Sequence, residues 1–506
     1  MKILNREQIK QADEYTIKNE PIASVDLMER ASQAFTDLFK SLYQNDTQVH
    51  IFCGVGNNGG DGLAISRMLI SDSYNVTTYV VKYSANFSQD FQSNEKHLSE
   101  TAGAQIIYLD DSSTMPEIPD HSVVIDALWG TGLTRPINGL GAKVIEHINT
   151  SNATVVSIDI PSGVFCDDIN PDPFKIKASL TISFQVPKYS FFMPENEEYV
   201  GEFRIVDIGL NKDFINAQIS HLHQIDAGQI SSIYKSRKKF AHKGNFGHAL
   251  IIAGSYGKIG AAILASKSAL RSGAGLVTTY IPQCGYEVLQ SALPECMVIC
   301  DDNYEFISSI PDLKPFNVIG IGPGIGQDIP VMEAINKLLI NYDRPIVMDA
   351  DGLNILSHNP EMINQLPENS ILTPHIGEFD RLVGKSSNQY ERLGKLIDFS
   401  TSNKCLTILK GHYTAVSLPD GTICFNSTGN PGMATGGSGD VLTGIIAGLL
   451  AQKYSPVDAA LLGVYIHGMA GDIVASNLSE EGMIAGDIIE GLPAVFKFLH
   501  QQNRLP

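Results

Sequence analysis

The stretch VHIFCGVGNNGGDG, residues 49–62, joins a short apolar strand to a glycine-rich loop that opens a helix. Such a loop lets backbone amides at the helix N-terminus face a phosphate group, as in doubly wound α/β sheets. An ordinary dinucleotide-binding fold also has an acidic residue at the end of its second strand, and here that strand ends near Lys82. The stretch therefore predicts an α/β nucleotide site that differs from that of an ordinary dehydrogenase.

Short β-branched runs alternate with helix-length stretches on both sides of this loop, which is typical of a parallel sheet. We predict strands at residues 49–53, 75–81, 123–126, 154–159, 180–184 and 203–207, with two helices within 5–39 capping the sheet. A second α/β pattern starts at His248. It predicts strands at 249–253, 276–281, 318–321, 346–349, 370–373 and 406–410, and a β-hairpin formed by 414–417 and 421–425.

A chain of 506 residues is too long for one hydrophobic core. Between the two α/β patterns lies a polar stretch that ends in the basic run 235–239. We therefore predict a first domain at 1–220, a linker at 221–240 and a second domain at 241–506.

Composition excludes several classes of protein. A formal net charge of −19 argues against a nucleic-acid partner, because phosphate-backbone binding needs a cationic face. The seven cysteines are scattered and lack any CxxC spacing, so we expect neither a disulfide framework nor a zinc site. The N-terminus carries charges where a signal peptide is apolar, and the longest apolar run, 441–451, is too short to span a membrane. We expect a cytoplasmic protein without a membrane partner.

Three polar side chains are predicted at neighbouring strand ends of the first domain. Asn58 belongs to the glycine loop, Asp126 begins the segment 126–136, and Ser162 lies near the end of the motif SIDIPSG at 157–163. Amide, carboxylate and hydroxyl oxygens suit an alkali or alkaline-earth cation. Capping of three neighbouring helices remains an alternative for these side chains. A tight turn likewise explains the glycines of residues 54–62, but not Asn57 and Asp61.

The segment GNPGMATGGSGD, residues 429–440, precedes an apolar helix and predicts a second phosphate site, where amides converge on an anion. Asp440 would repel that anion, so we interpret it as a general base that takes a hydroxyl proton during phosphoryl transfer. Helix capping is the alternative role. Other loops at strand ends join the same cleft: GPGIG at 322–326, DADGLN at 349–354, TPHIGE at 373–378 and LKGHYT at 409–414. His375 has either a site role or a structural one.

The motifs GVGNNGGDG, DALWGTGL, SIDIPSG and FQVPK make the first 220 residues resemble the NAD(P)HX epimerase family, known for the YjeF N-terminal domain. The resemblance implies a Rossmann-like doubly wound sheet that interconverts the R and S epimers at C6 of hydrated NADH or NADPH, with a potassium ion. It implies proton exchange by Asp159, potassium ligation by Asn58, Asp126 and Ser162, and nucleotide binding by the following residues: Asn57, Asn58, Gly59, Gly60, Asp61, Gly130, Thr131, Gly132, Leu133, Thr134, Arg135, Pro136 and Asp159.

Residues from about 235 to 500 resemble the NAD(P)HX dehydratase family, a branch of the ribokinase-like α/β/α fold. The implied reaction phosphorylates the C6 hydroxyl of the S epimer and eliminates phosphate, with magnesium and ADP or ATP. By position, the residues that face the hydrate are Ala261, Gly322, His375 and Asp440, and those that hold the phosphoryl donor are Lys410, Gly411, His412, Tyr413, Thr414 and Gly439.

Two other functions remain open from the sequence. The glycine segment with Asp440 would serve any hydroxyl acceptor, so a ribokinase-like kinase for a vitamin precursor is one alternative. A first domain that only binds a nucleotide or a protein as a scaffold is the other. The choice between ADP and ATP and between NADHX and NADPHX is also open, with ADP expected from resemblance to bacterial fused forms. We expect a homo-oligomer of undefined size.

Overall fold

The computed structural model describes residues 1–502. It divides the chain into two compact units, Met1–Leu222 and the chain from His223 onward. The segment 221–240 contains a strand and a helix, described below with the second unit. The domain bounds 1–220 and 241–506 stay a prediction.

The first unit is built on a seven-stranded sheet in the order β3-β2-β1-β4-β5-β6-β7, in which all neighbouring strands are parallel. The order reverses between β1 and β4, which is where doubly wound sheets bind ligands. The strands are β1 Gln48–Cys53, β2 Asn75–Val81, β3 Ile106–Leu109, β4 Val123–Ala127, β5 Thr154–Ile158, β6 Leu180–Phe184 and β7 Glu202–Val206.

Helices cover both faces of this sheet, as the prediction of a Rossmann-like doubly wound fold requires. On one face of the sheet, Ile51 and Ile125 pack against the helical residues Phe35 and Leu63. On the other face, Phe52, whose side chain points opposite to that of Ile51, packs in a second core with the helix after β4. The helices are α1 Arg6–Asn19, α2 Ser24–Leu42, α3 Asn57–Ser71, α4 Gln89–Ser99, α5 Gly139–Asn149, α6 Glu197–Val200 and α7 Lys212–Ala217.

The second unit contains a ten-stranded sheet in the order β11-β10-β9-β12-β13-β14-β15-β16-β17-β8. Strands β9 to β15 pair in parallel, whereas β15, β16 and β17 are antiparallel and include the predicted hairpin. The strands are β8 Leu222–Gln224, β9 His248–Ile252, β10 Leu276–Ile281, β11 Met297–Cys300, β12 Val318–Ile321, β13 Ile346–Met348, β14 Ile371–Leu372, β15 Leu406–Leu409, β16 Ala415–Ser417 and β17 Ile423–Phe425.

The helices of the second unit are α8 Ala227–Ile233, α9 Ile259–Arg271, α10 Tyr286–Ala292, α11 Ile329–Asn341, α12 Asp351–His358, α13 Ile376–Val383, α14 Gln389–Ser402, α15 Ser438–Ala451, α16 Pro456–Leu478 and α17 Ala485–Gln502. Short 3₁₀ helices occur at Tyr189–Phe192 and Pro194–Asn196 in the first unit, and at Lys243–Phe246, Gln283–Gly285, Pro360–Gln365 and Pro431–Met433 in the second.

Helix α15 lies in the core of the second unit and packs closely on α9. A Cβ atom at Gly444 would lie 2.0 Å from the carbonyl oxygen of Ala265, so only glycine permits this approach. The packing fixes the N-terminal end of α15, which carries Asp440, relative to the sheet.

The predicted strands are present in both units, with end positions shifted by up to two residues. Three edge strands, β3, β8 and β11, were not predicted from the sequence. Of these, β3 and β11 expose apolar side chains, including Tyr108 at 43% and Met297 at 42%. Edge strands have one open side, so they lack the fully buried apolar runs that identify central strands.

In the predicted linker, β8 closes the edge of the second sheet, and α8 packs against α16. Ile225 and Ile230 of this segment are buried in the second core. By length and composition, α16 could cross a membrane, but 67% of its most apolar window is buried within the protein, as is common for a core helix.

Candidate active sites

A cavity of 920 Å³ opens in the first unit at the carboxyl ends of the strands. The loops after β1 and β4 meet there, at the point where the strand order reverses. Of the residues predicted to bind nucleotide in this unit, the following line the cavity: Asn57, Asn58, Asp61, Gly130, Thr131, Gly132, Leu133, Thr134, Arg135, Pro136 and Asp159.

Gly59 and Gly60 are not among the described residues that line this cavity. A Cβ atom at Gly59 would lie 1.8 Å from the carbonyl oxygen of Gly54, and one at Gly60 would lie 2.8 Å from the sulfur of Met28. These two glycines therefore let α3 approach the end of β1 and α2 closely.

Asp159 lies directly after β5, with its backbone in the left-handed region at φ +63°. Such a conformation costs a non-glycine residue about 1–2 kcal/mol, and it is concentrated at functional sites. Oδ1 of Asp159 accepts hydrogen bonds from Lys188 Nζ at 2.5 Å and from the Phe184 amide at 2.9 Å. Within residues 1–502, no group donates to Oδ2. One carboxylate oxygen is thus fixed, and the other is free to meet a ligand.

Lys188 is the partner that the sequence analysis quoted in the motif FQVPK but to which it gave no role. Its side chain is fully buried, and Nζ also donates to Ser183 Oγ and to the carbonyl oxygens of Phe184 and Val186. These contacts satisfy the ammonium group and aim it at Asp159.

Of the three predicted cation ligands, Asn58 lines the cavity, and Asp126 and Ser162 are hydrogen-bonded to each other. The buried Asp126 carboxylate accepts from Ser162 Oγ at 2.6 Å and from the Ser162 amide at 2.8 Å. Asn58 approaches Gly130 in the loop after β4, and its side-chain nitrogen is buried without a partner. Burial raises the pKa of Asp126, and the hydrogen bonds from Ser162 oppose that shift. Within residues 1–502, no cationic side chain pairs with Asp126.

Two further features of the cavity were missed from the sequence. Tyr83 stacks on Trp129 with ring centroids 4.2 Å apart, which forms an aromatic wall. Asp13 reaches the cavity from α1. Burial, then the charge of Asp159, raises the pKa of Asp13 to about 7.

In the second unit, the glycine segment turns into α15 through Gly437, whose φ is +96°. Asp440 follows in the first turn of the helix. Burial and the negative charge of Asp349 raise the pKa of Asp440 to about 7, against the opposing influence of Lys410. A carboxyl group with this pKa can take a proton near neutral pH.

Asp349 follows β13 and is 1% exposed. Its Oδ1 accepts from Lys410 Nζ at 2.8 Å, and its Oδ2 accepts from Thr443 Oγ1 of α15 at 3.0 Å. A Cβ atom at Gly439 would lie 3.1 Å from Lys410 Nζ. The structure therefore brings Lys410, Gly439 and Asp440 together around Asp349.

His375 forms the N-cap of α13, where Nδ1 accepts from the Gly377 amide at 3.0 Å. Its Nε2 lies 3.3 Å from Oε1 of Glu378, and the side chain is 54% exposed. The residue also pairs with Lys410 in an isolated parallel bridge. His375 thus has a structural capping role and lies next to the Lys410 site.

The remaining predicted residues lie on neighbouring loops. Gly322 follows β12 and packs against the backbone of Asp349, and Ala261 starts α9 beside Gly324. The other predicted donor-binding residues, Gly411, His412, Tyr413 and Thr414, form the turn between β15 and β16, with the rings of His412 and Tyr413 4.5 Å apart.

Two family models match the chain. Residues 24–190 match the YjeF-related protein N-terminus, and residues 249–494 match NAD(P)H-hydrate dehydratase. A bifunctional NAD(P)H-hydrate repair enzyme of Moorella thermoacetica is 32% identical over 99% of this chain and 98% of that protein. The chain belongs to the bifunctional NAD(P)H-hydrate repair enzyme family.

Other members of this repair enzyme family are similarly close. The Coxiella burnetii enzyme is 33% identical over 96% of this chain and 97% of its own, and the Escherichia coli enzyme is 33% identical over 93% and 89%. A crystal structure of the ADP/ATP-dependent NAD(P)H-hydrate dehydratase of Bacillus subtilis, co-crystallised with ATP and Mg²⁺, is 30% identical. It covers 55% of this chain and 98% of its own, with a TM-score of 0.49.

Membership of the repair enzyme family confirms the family resemblance inferred from the sequence motifs, and with it the prediction of an enzyme with an epimerase domain followed by a dehydratase domain. The predicted α/β fold class is confirmed in both units. The roles of individual site residues stay predictions.

Loss of the Lys188–Asp159 ion pair should reduce the stability of the first unit. Replacing Lys188 with Met leaves a buried carboxylate without its cation, so we expect Lys188→Met to lower the free energy of unfolding of the first unit by about 3–5 kcal/mol. Lys177→Met is the control, because Lys177 pairs with Glu198 on the surface and such pairs contribute about 1 kcal/mol or less. Chemical denaturation of both variants measures the difference, and equal losses would contradict this account of the pair.

Proposed function

We propose that this chain repairs hydrated NADH and NADPH by two successive reactions. The first domain interconverts the R and S epimers at C6, and the second uses ADP or ATP to dehydrate the S epimer. The observation that carries the proposal is the match of both family models, in this order, to a chain that aligns end to end with bifunctional relatives. A small-molecule kinase is less supported, since the relatives share both halves of the chain.

In the epimerase reaction, residues 57–61 and 130–136 hold the nucleotide, with the backbone of the α3 N-terminus facing its phosphates. Asp159 exchanges a proton with the substrate at C6. The support for this role is its place on the cavity wall, with Lys188 on Oδ1 and a free Oδ2. Lys188 orients the carboxylate through this ion pair.

We assign potassium to Asn58, Asp126 and Ser162. These residues fit a cation because, within residues 1–502, the buried Asp126 carboxylate has no cationic partner and the Asn58 side-chain nitrogen is buried without a partner. Rotation of the Asn58 amide would present its oxygen instead. Bound potassium supplies positive charge near the substrate. When potassium is bound, Asn58, Asp126 and Ser162 would join the loops after β1, β4 and β5 through the ion.

In the dehydratase reaction, Asp440 removes the proton of the C6 hydroxyl as the phosphoryl group is transferred. Lys410 and Gly439 hold the transferring phosphate, with residues 411–414 on the rest of the donor. Asp349 positions Lys410 through the 2.8 Å ion pair. Ala261, Gly322 and His375 contact the hydrate from the loops around Asp349.

Magnesium enters this site with ADP or ATP, and ADP is the donor that we expect. The seven free cysteines, most of them buried, agree with a reducing cytoplasm. Self-association of the chain stays a prediction.

The first test separates the two reactions. Asp440→Asn keeps the shape of the residue but cannot accept a proton, so we expect dehydration to fall about 10² to 10⁴-fold, with epimerisation unchanged. Asp159→Asn should slow epimerisation and leave dehydration of pure S epimer unchanged, because the two sites share no partner. Each activity serves as the folding control for the other, and loss of both from one change would contradict two separate sites.

The pKa of Asp440 also sets a pH dependence. A base must be deprotonated to act, so dehydration by the unsubstituted protein should rise as pH rises through about 7 and level off above it. A rate that falls over this range would contradict the role of Asp440 as base.

The potassium assignment is tested by binding. Potassium chloride should raise the melting temperature of the first unit more than sodium chloride at equal ionic strength, because a ligand that binds only the folded state stabilises it. Asn58→Ala should remove this difference, and Asn57→Ala, which changes the exposed neighbour, should retain it. Equal responses to both salts in the unsubstituted protein would refute the assignment.

A further inference from the structure

Asp13 occupies an unusual position for a carboxyl group. It lies on α1 next to the buried Ala12 and one helical turn before the buried Thr16, on the side that lines the cavity. Charged residues are rarely placed on the inward side of a helix without a partner. The family match begins at residue 24, so it covers neither Asp13 nor any other part of α1.

The carboxyl group of Asp13 has no such partner. Within residues 1–502, no group donates a hydrogen bond to it and no basic side chain forms an ion pair with it. The charged groups that act on it are Asp159 after β5, Lys188 after β6 and Glu14 on its own helix, and Asp13 in turn acts on Asp61 of α3. Asp13 is therefore a free carboxyl that faces the pair formed by Asp159 and Lys188.

A second observation indicates that this cavity holds a ligand. Asn58 also lines the cavity, is 9% exposed and keeps its side-chain nitrogen without a partner. A buried amide group without a partner is destabilising unless a ligand satisfies it.

We propose that Asp13 is a second catalytic residue of the epimerase, which carries a proton to and from the C6 hydroxyl of the substrate opposite Asp159. This rests on the proposed function of the first domain. Loss of the C6 hydroxyl as water and addition of water to the opposite face use a proton donor on one face of the carbon and a proton acceptor on the other, and Asp159 supplies only one of the two.

Protonated Asp13 gives its proton to the C6 hydroxyl, the C6–O bond breaks, and its electron pair leaves with the departing water. The lone pair of the ring nitrogen N1 forms the N1–C6 double bond. Water then adds to the opposite face of C6, and the Asp159 carboxylate takes the released proton. Exchange of protons with solvent restores both groups, and the reverse reaction exchanges their roles.

Its pKa supports this role. Burial, then the charge of Asp159, raises the pKa of Asp13 to about 7, so that it holds a proton at neutral pH and can release it. Burial, then the charge of Asp159, also raises the pKa of Asp61 well above its ordinary value.

The test uses the full chain with purified R epimer of hydrated NADH. We expect Asp13→Asn to slow epimerisation at least about 10²-fold, the usual contribution of a general acid. The unsubstituted enzyme should lose rate as pH rises above about 7, and the variant should not show this loss. Glu14→Gln is the matched control, since Glu14 is exposed on the same helix. The control should retain the rate and the loss of rate at high pH, with the profile shifted slightly to lower pH, because the charge of Glu14 is the smallest of the four influences on the pKa of Asp13.

Two internal checks separate chemistry from folding. Dehydration of S epimer by the second domain should be unchanged in Asp13→Asn. The folded pKa of Asp13 is raised from 3.8 to about 7, so the fold loses stability as pH rises between these values and the full loss is present at pH 8. Asp13→Asn should therefore melt at a higher temperature than the unsubstituted chain at pH 8. Asp13→Glu, which retains a carboxyl, should keep part of the rate and the pH profile.

Epimerisation by Asp13→Asn within threefold of Glu14→Gln, or a variant that keeps the loss of rate above pH 7, would overturn the proposal. So would an Asp13→Glu variant as slow as Asp13→Asn. If the unsubstituted chain itself does not epimerise the R form, the proposed function of the first domain fails instead.

Discussion

A lysine held against a buried aspartate at the end of a parallel strand organises the site in each unit. Lys188 meets Asp159 at 2.5 Å in the first, and Lys410 meets Asp349 at 2.8 Å in the second. Removing two charges from water costs several kcal/mol per ion, which mutual attraction repays only with good geometry. An ion pair of this kind therefore adds little net free energy of unfolding compared with apolar packing. The position of the two pairs beside the predicted substrate loops indicates that they orient charge for chemistry.

The pairs also explain the behaviour of a second carboxyl in each unit. Burial and the charge of the paired aspartate raise the pKa of Asp13 in one and of Asp440 in the other, both to about 7. Backbone strain is found at the same places, since Asp159 and Ala350 have positive φ. Each unit thus contains, at the carboxyl ends of its strands, a carboxyl group that gains and loses its proton near neutral pH.

Much of the fold could be predicted because central strands are continuous apolar runs between glycine loops. The edge strands β3 and β11 could not, since their exposed faces break that pattern. Asp440 was found because it directly follows a glycine segment. Lys188 had no assigned role because its partner lies 29 residues away and across β6. Asp13 was missed because an acidic residue in a polar helix gives no sign of which way it faces until that helix is packed.

The central claim is that one chain carries both reactions at separate sites. The most direct measurement supplies a mixture of R and S hydrates of NADH with potassium, magnesium and ADP or ATP, and follows the absorbance of reduced nicotinamide. The account predicts recovery of the entire pool as NADH, with the R fraction consumed faster than it epimerises without protein. An absorbance that stops at the S fraction, or a phosphorylated product that accumulates without release of NADH, would contradict it.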